Sequence, residues 1–503
     1  MRPDARGRVP SVSRRGVLKA GLGGALASQL AFLGELAVMP QRPALAAASL
    51  PNIQFDIGSF IAPAQTINGV SVRFGPVFCL FQPIRLTRTP SRTDQSVLAG
   101  ALNTIEAHYP FSPSGIIVHA AYGIPYFNRL PAALVASRIP RLLSNNSRFA
   151  LEEAVPSPTD VVSGNGVTKD TFNVPVVIER NDVLLSLRSD STTIIGDVVA
   201  WLQGSNKLNG AAVASPAFGG LFSFQTTRLQ FTQIGMPRLI ASHFSPPYLD
   251  QVNDQSPMWM GFTDQQVNAS GPAQIVTFEG NSTARFTNAT SSSYFANGSI
   301  QHLSHDILDL AQFYSRTDNE TYQERVQYMF RSNQLGTTHG LPSVGNTDQF
   351  ADGGGPATLN NVFQGTDAAL RGARDSAGTF GPGNQTLDAT FTGAGRIGHE
   401  AALQRSSRAS DGTPIHIRMD GPGFDSLDVP DGSDQPKLEF LVFVPTAEFF
   451  RQMRVNQAAL DLQKQFNVAE DDNGLERFIT ATRRQNFLVP PRVHRAFPLV
   501  ELT

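Results

Sequence analysis

The sequence predicts an α+β protein in which a small unit occurs twice, around two antiparallel sheets. Short apolar runs typical of strands alternate with runs of helical periodicity, and Gly, Pro and Asn separate them. The order strand, helix, strand recurs in both halves of the chain, which indicates a duplication. A sharp change of composition in the second half indicates a long insertion into the second unit.

The N-terminal segment has the parts of a twin-arginine export signal in the expected order. Arg14 and Arg15 stand in a basic stretch, residues 20–38 are weakly apolar, and residues 44–46 form a small-x-small cleavage site. A mitochondrial presequence or a disordered basic tail is the alternative interpretation. We therefore expect residues 1–46 to be a signal peptide read by the twin-arginine machinery. The mature protein is then periplasmic, extracellular or at the cell surface.

Composition excludes several classes of partner and site. The chain has 40 basic and 42 acidic residues and no dense basic block outside the signal, which makes nucleic acid an improbable partner. Cys79 is the only cysteine, so an intramolecular disulfide, a c-type haem attachment pair and a cysteine-ligated iron–sulfur cluster are excluded. Beyond the signal, no apolar stretch approaches the roughly 20 residues needed to span a bilayer.

The first unit is expected within residues 47–255. Residues 115–122 (GIIVHAAY) and 182–187 (DVLLSL) read as strands because they are apolar and bounded by turn residues. Residues 194–202 read as a helix between polar stretches.

The second unit is expected within residues 256–503. Leu303, Ile307, Leu310 and Tyr314 fall at helical spacing and predict an amphipathic helix that continues to residue 329. Residues 334–395 are rich in Gly, Asn, Thr and Asp and predict a long insertion or surface loop. Residues 438–444 predict a buried strand, residues 449–466 a helix, and residues 486–490 a last strand.

Several familiar sites are absent or incomplete. No G-x-S-x-G motif is present, and His399-Glu400 lacks the second histidine of a zincin motif because Leu403 stands in its place. His302 and His305 are three residues apart on the predicted helix. They are either helix-surface or core histidines or, with His339, ligands of a metal ion. The aspartate-rich loop over residues 420–434 either is solvated or binds a hard cation such as calcium.

Two segments carry the strongest indication of chemistry. The first includes Gly261-Phe262-Thr263-Asp264, and the second is the run Pro414-Ile415-His416-Ile417-Arg418. With these motifs the chain resembles the dye-decolourising peroxidases, haem proteins made of two ferredoxin-like halves and often exported by the twin-arginine route. Gly261 to Asp264 is similar to the front of the family's G-x-x-D-G motif, and His416-Ile417-Arg418 is similar to its proximal histidine segment. Further similarity lies in His305-Asp306, in residues 182–187 and in the ending at residues 486–491.

The resemblance implies a duplicated ferredoxin-like fold and a b-type haem. His416 would bind the iron through a neutral imidazole, as peroxidase iron requires. Asp264 would move the peroxide proton from the inner to the outer oxygen. Gly261 and Phe262 would shape the wall of the haem site, and Arg418 would contribute to cofactor binding. A hydrogen-bonded structural histidine and an aspartate in a turn are the alternative interpretations of His416 and Asp264.

The chain departs from the family pattern at two places. Gln265 replaces the final glycine of G-x-x-D-G, and no arginine lies between Met419 and Phe440, where the family has one that stabilises charge on the departing oxygen. Lys437 is the only basic residue there and lacks the planar guanidinium group. Arg238 and Arg418 are the candidates to substitute for it in space.

The sequence therefore predicts an exported haem-dependent oxidoreductase that uses hydrogen peroxide to oxidise an organic donor. The alternative is a relative that keeps the fold, binds haem or a partner, and has lost peroxidase chemistry.

Overall fold

The computed structural model describes residues 23–40, 42, 49–63, 65–67, 70–72, 74–163, 168–252, 254, 256–261, 270–315, 413–465, 467, 469–470 and 473–503. The paired arginines, the expected cleavage site, Phe262, Asp264 and the expected insertion lie outside these residues. Among the described residues, no helix has the length and apolar character needed to cross a membrane.

The described helices and strands follow one another in the order of an α+β protein. The helices are α1 (Gly23–Leu36), α2 (Arg92–His108), α3 (Ile124–Phe127), α4 (Ala132–Arg138), α5 (Thr192–Leu202), α6 (Met236–Phe244), α7 (Leu310–Ser315), α8 (Ala447–Ala458) and α9 (Leu460–Gln465). The strands are β1 (Gln65–Ile67), β2 (Val70–Val72), β3 (Phe78–Leu86), β4 (Ile117–Tyr122), β5 (Val177–Ile178), β6 (Val183–Ser189), β7 (Lys207–Leu208), β8 (Ala211–Ala212), β9 (Phe222–Phe224), β10 (Arg228–Phe231), β11 (Ser299–Leu308), β12 (Ile417–Arg418), β13 (Gly421–Asp425), β14 (Gln435–Val444) and β15 (Ile479–Val489).

The strand order confirms a duplicated ferredoxin-like fold. In the first half the main strands pair in the order β10-β3-β6-β4, and every pairing is antiparallel. In the second half the order is β15-β11-β14-β13, again antiparallel. Numbered within each half, both orders read fourth, first, third, second, which is the arrangement of a β-α-β-β-α-β unit. Helices α2 and α5 make the connections of the first half, and α8 connects β14 to β15.

The two expected sheets are hydrogen-bonded to each other at both edges. Tyr122 of β4 pairs with Leu488 of β15, and Gln230 of β10 pairs with Gly423 of β13. Eight strands of the described chain therefore form one closed ring of pairings. The division at residues 255 and 256 falls between the strands of the two halves and stays a prediction as a domain boundary.

Local sequence signals set the ends of the main helices. Ser91 caps α2 through a capping box in which the Ser91 side chain accepts from the Asp94 backbone N–H and the Asp94 carboxylate accepts from the Ser91 N–H. Thr446 caps α8 by accepting a hydrogen bond from Phe449 N at 2.9 Å. Ala459 adopts a left-handed conformation with φ of 51°, which ends α8. The single helix expected over residues 449–466 is thus divided into α8 and α9.

The helix expected from Leu303 onward is wrong. Residues 299–308 form strand β11, and only the short helix α7 follows it. All ten residues of β11 are buried, because β14 and β15 flank it and both of its faces are covered. Of the apolar residues at helical spacing, Leu303 and Ile307 therefore share one face of the strand, and Leu310 and Tyr314 lie in α7. His302 and His305 stand on opposite faces of this strand and do not form a pair.

Helix α1, which the sequence assigns to the signal peptide, packs against α5 and α6. Its buried side chains are Leu26, Leu30 and Leu33. A side chain at Gly34 would collide with Thr192 of α5, so the two helices approach closely at this glycine. After the helix, the Arg42 guanidinium forms an ion pair with the buried Asp190 carboxylate.

Candidate functional site

A cavity of ≈ 100 Å³, here called the polar cavity, lies against β11, β14 and β15. Ser304 and Asp306 reach it from β11, Arg484 from β15 and Arg454 from α8. The rest of its charged wall is formed by Arg418, Asp420, Asp160 and Glu476. The cavity therefore collects cationic and anionic groups that are buried or partly buried.

Asp306 is the carboxyl group with the most unusual environment in this cavity. One of its oxygens accepts a hydrogen bond from Ser304 Oγ at 3.3 Å, and the other, Oδ1, has no hydrogen-bond partner among the described residues. Burial raises the pKa of Asp306 to about 6, although the positive charge of Arg484 opposes the shift. A carboxyl group with such a pKa can both hold and release a proton near neutral pH.

Arg418 and Asp420 form the second notable pair. Burial lowers the pKa of Arg418 and raises the pKa of Asp420, and the opposite charge of each residue limits the shift of the other. The guanidinium of Arg418 stays charged because its ordinary pKa is far above neutral. It carries N–H groups of the kind that bind an oxygen-rich ligand.

The other arginines of the polar cavity are fixed by buried carboxylates. Arg484 binds Asp160 through two hydrogen bonds, of 2.6 and 2.8 Å, and both side chains are about 5% exposed or less. Burial opposes the ionisation of Glu476, but the positive charge of Arg454 outweighs it and lowers the pKa of Glu476 to about 2. These pairs hold the wall of the cavity in one arrangement.

A second cavity, of ≈ 390 Å³, lies beside the polar cavity and is here called the His302 cavity. His302 Nδ1 lies 2.7 Å from Asn486 Oδ1, and Arg484 Nη1 lies 3.4 Å from His302 Nε2. Because Asn486 donates to the Glu152 carbonyl through its NH₂ group, its oxygen faces the histidine, and Nδ1 carries the proton. Burial and the charge of Arg484 lower the pKa of His302 well below its ordinary value, so the ring is neutral.

The structure places the predicted site residues as follows. Arg418 lines the polar cavity, and Arg238 lies on α6, where its side chain is 29% exposed and 3.3 Å from Asp250. Of the two arginines considered as substitutes, Arg418 is thus the one in the cavity. His416 is 1% exposed, precedes β12, and lines neither the polar cavity nor the His302 cavity.

Gly261 ends the described part of the first motif. It has a positive φ of 81°, a conformation that favours glycine. The preceding Trp259 is buried and donates through Nε1 to the Gly423 carbonyl at 2.9 Å. This contact fixes the segment before Gly261 on strand β13. Phe262 and Asp264 lie outside the described residues, so their roles stay predictions.

The donor chemistry of the described residues fits one side of a haem peroxidase site. Arg418 and the orphaned Oδ1 of Asp306 are suited to binding peroxide oxygens and moving a proton. The polar cavity is smaller than the roughly 300–1,000 Å³ of a pocket for a large ligand. The His302 ring is held by Asn486 and Arg484. The binding of iron by His416 stays a prediction from the sequence motif, because His416 lines neither cavity.

Sequence reasoning missed Asp306, Asp420 and Arg484 as cavity residues. The misassigned helix hid the alternation of His302, Ser304 and Asp306, although a period of two was present in the sequence. Arg484 and Asp160 are more than 300 residues apart in sequence, and no local pattern indicates that they pair.

The chain is similar in fold to solved structures of DyP-type peroxidases at low identity. A putative DyP-type peroxidase from Shewanella oneidensis is 12% identical, with a TM-score of 0.43, over 85% of this chain and 95% of that one. The encapsulated DyP-type peroxidase from Mycobacterium smegmatis is 13% identical, with a TM-score of 0.44, over 85% and 95%. A haem-bound variant of DypB from Rhodococcus jostii is 12% identical, with a TM-score of 0.45, over 84% and 96%. No residue role is taken from these structures.

No curated protein matches the chain. A family model described as a family of unknown function (DUF7405) matches residues 78–347 and 368–491. These two ranges include most of the chain and all eight strands of the closed ring. The chain therefore belongs to the family of unknown function DUF7405.

Proposed function

We propose that the protein is a haem-dependent oxidoreductase that uses hydrogen peroxide to oxidise an organic donor. The observation that carries this proposal is the polar cavity, whose wall contains both Arg418 and the buried Asp306, with a pKa of about 6. The motifs around Gly261 and His416 support it from the sequence. A b-type haem supplies redox-active iron when bound, and His416 is the residue we propose to hold it.

The side chains of the polar cavity would handle the peroxide. Cleavage of the O–O bond with loss of water requires a proton to move from the inner to the outer oxygen, and a nearby carboxylate can carry it. The sequence assigns this step to Asp264, and the structure offers Asp306 as a second carboxyl group for it. Arg418 would donate hydrogen bonds to the oxygen on which negative charge develops.

The proposal is tested first by the visible absorption spectrum of full-length protein produced with ample haem. We expect a Soret band that is lost or strongly shifted in His416→Ala. His339→Ala and His399→Ala serve as matched controls, because these histidines also belong to the second half of the chain. No Soret band in the wild-type protein would overturn haem binding. A band that responds to a control variant and not to His416→Ala would overturn only the assignment of His416.

The proton-transfer step is tested by peroxide turnover of the holoprotein with a dye as donor. We expect Asp264→Asn or Asp306→Asn to lower the rate by about 10²- to 10⁴-fold, the usual contribution of a general acid–base group. Comparison of the two variants decides which carboxyl group acts. Unchanged rates in both variants would show that neither carboxyl group transfers the proton.

The alternative function, a haem-binding or partner-binding protein without peroxidase chemistry, is favoured by two observations. The polar cavity is small, and Gln265 replaces the glycine that follows Asp264 in the family motif. This alternative predicts a Soret band without peroxide-dependent oxidation. Turnover that is abolished by Asp264→Asn or Asp306→Asn would exclude it.

We also propose that the protein is exported by the twin-arginine route. The ordered basic, apolar and small-residue parts of residues 13–46 support this proposal. Replacement of Arg14 and Arg15 by lysine in the full-length protein should retain it in the cytoplasm, as measured by fractionation. Export that is unaffected by this change would contradict the proposed route.

A further inference from the structure

A second cluster of buried ionisable groups lies on the opposite face of β11 from the polar cavity. His305 stands directly across from Glu439 of β14, and Asp425 ends the neighbouring strand β13. One ligand atom from each of these three residues lies within 4.8 Å of the others. The side chains of His305 and Glu439 are completely buried, and that of Asp425 is 19% exposed. We call these three residues the His305 cluster.

The hydrogen bonds of the cluster set the orientation of His305. Its Nδ1 lies 2.6 Å from Glu439 Oε1, so Nδ1–H donates to this carboxylate. In the neutral ring Nε2 then carries a lone pair and faces Asp425 Oδ1 at 3.6 Å. Burial opposes a positive charge here, but the negative charges of Glu439 and Asp425 outweigh it and raise the pKa of His305, so either a proton or a metal ion supplies the positive charge between Nε2 and Asp425.

The cluster also contains polar atoms without partners. Neither His305 Nε2 nor Glu439 Oε2 makes a hydrogen bond among the described residues, although both are buried. Buried polar atoms of this kind usually bind water or an ion. The separation of 3.6 Å between Nε2 and Asp425 Oδ1 is close to the distance of about 3.4 Å between two ligands of a tetrahedral ion with bonds near 2.1 Å.

Charge and access are compatible with a cation. Lys437 neutralises part of the negative charge, but its ammonium donates to the Leu427 carbonyl at 2.6 Å and lies 3.7 Å from Asp425. Gly423 of β13 pairs with Lys437 of β14 and has no side chain. A Cβ at Gly423 would lie 3.5 Å from Glu439 Oε1, so the glycine leaves space beside this carboxylate. Asp425 also lines a cavity of ≈ 500 Å³ beneath α1, which gives an ion a route to the cluster.

We propose that the His305 cluster binds a divalent transition-metal ion through His305 Nε2 and Asp425, while Glu439 holds the histidine from its other ring nitrogen. One imidazole nitrogen and one carboxylate, with water in the remaining positions, form a mixed nitrogen and oxygen ligand set that suits zinc or manganese better than calcium. The hydrogen bond from Nδ1–H to Glu439 is the contact that commonly orients a metal-binding histidine. This site is separate from the polar cavity, because His305 and the polar cavity lie on opposite faces of β11.

The experiment measures metal binding by the full-length protein. The protein is stripped with a chelator, equilibrated with ZnCl₂ or MnCl₂, freed of excess ion and analysed by elemental mass spectrometry, with haem iron counted separately from its absorption spectrum. We expect one zinc or manganese ion per chain. Asp425→Asn, which changes the partly exposed ligand, should weaken binding at least about tenfold. His302→Gln, on the other face of β11, is the matched control and should bind like the wild type.

Thermal unfolding provides a second measurement that does not require substitution of the buried residues His305 and Glu439. Added ZnCl₂ or MnCl₂ should raise the unfolding temperature of the wild type and of His302→Gln, because an ion that binds only the folded state stabilises it. It should leave Asp425→Asn unchanged. Absence of a bound ion in the wild type, or equal binding by wild type and Asp425→Asn, would overturn the proposal.

Discussion

The raised pKa of Asp306 predicts how the stability of the protein depends on pH. Asp306 is 5% exposed, and its ionised form is disfavoured by burial. In the unfolded chain the carboxyl group ionises near 3.8, whereas in the folded protein it ionises near 6. Between these values the unfolded state binds fewer protons than the folded state. The free energy of unfolding contributed by this group therefore falls as pH rises from about 4 to about 6.

The size of the effect follows from the two pKa values. A difference between 3.8 and about 6, at about 1.36 kcal/mol per pKa unit, corresponds to about 3 kcal/mol. Asp306→Asn removes the ionisation and keeps the shape of the side chain. Relative to the wild type, the variant should therefore gain about 3 kcal/mol of stability between pH 4 and pH 7.

Urea unfolding of the wild type and of Asp306→Asn at several pH values from 4 to 8 measures this difference. Other carboxyl groups contribute equally to both proteins, so they cancel. Asp250→Asn is the matched control, since it makes the same substitution at a side chain that is 99% exposed. A difference for Asp306→Asn that is independent of pH, or that becomes more destabilising as pH rises, would refute the reasoning.

Three further predictions concern packing and backbone conformation. Leu33→Ala in the full-length protein should lower the free energy of unfolding by about 2–5 kcal/mol, because Leu33 is completely buried. Val38→Ala, at a side chain that is 71% exposed, should change it by about 0.5 kcal/mol or less. Equal effects of the two variants in urea unfolding would contradict the packing of α1. Arg484→Gln should lower the free energy of unfolding by about 3–5 kcal/mol, because it leaves the buried Asp160 carboxylate unpaired. Asp160→Asn in the same chain should restore part of this loss. If it restores none, the ion pair does not account for the effect. Gly261→Ala should lower the thermal stability by about 1–2 kcal/mol because φ is positive there, and an unchanged unfolding temperature would contradict that conformation.

The parts of the fold that the sequence predicts are those with a strong local pattern. The continuous apolar run at residues 438–444 became the end of β14, and residues 194–202 became most of α5. The strands expected over residues 115–122 and 182–187 are present as β4 and β6. In each case the pattern of apolar residues within the segment is enough to predict the element.

The errors arise where partners distant in sequence decide the structure. Strand β11 has no exposed face, so its polar residues do not mark a solvent side. His302 is accommodated by Asn486 and Arg484, and His305 by Glu439, all of them more than 130 residues away. The sequence could predict Arg418 as a site residue, because a local motif includes it. Asp306, the carboxyl group in the same cavity, could not be predicted without knowing the register of the sheet.

We propose that Arg418 acts on peroxide in a haem protein. The most direct measurement is the steady-state rate of peroxide-dependent dye oxidation by the holoprotein, compared between the wild type, Arg418→Leu and the control Arg238→Leu, all with haem content determined from the Soret band. We predict that Arg418→Leu lowers kcat/KM for peroxide by about 10²- to 10³-fold, as loss of a donor to developing negative charge does, and that Arg238→Leu matches the wild type. Equal rates for wild type and Arg418→Leu at equal haem content would contradict the claim.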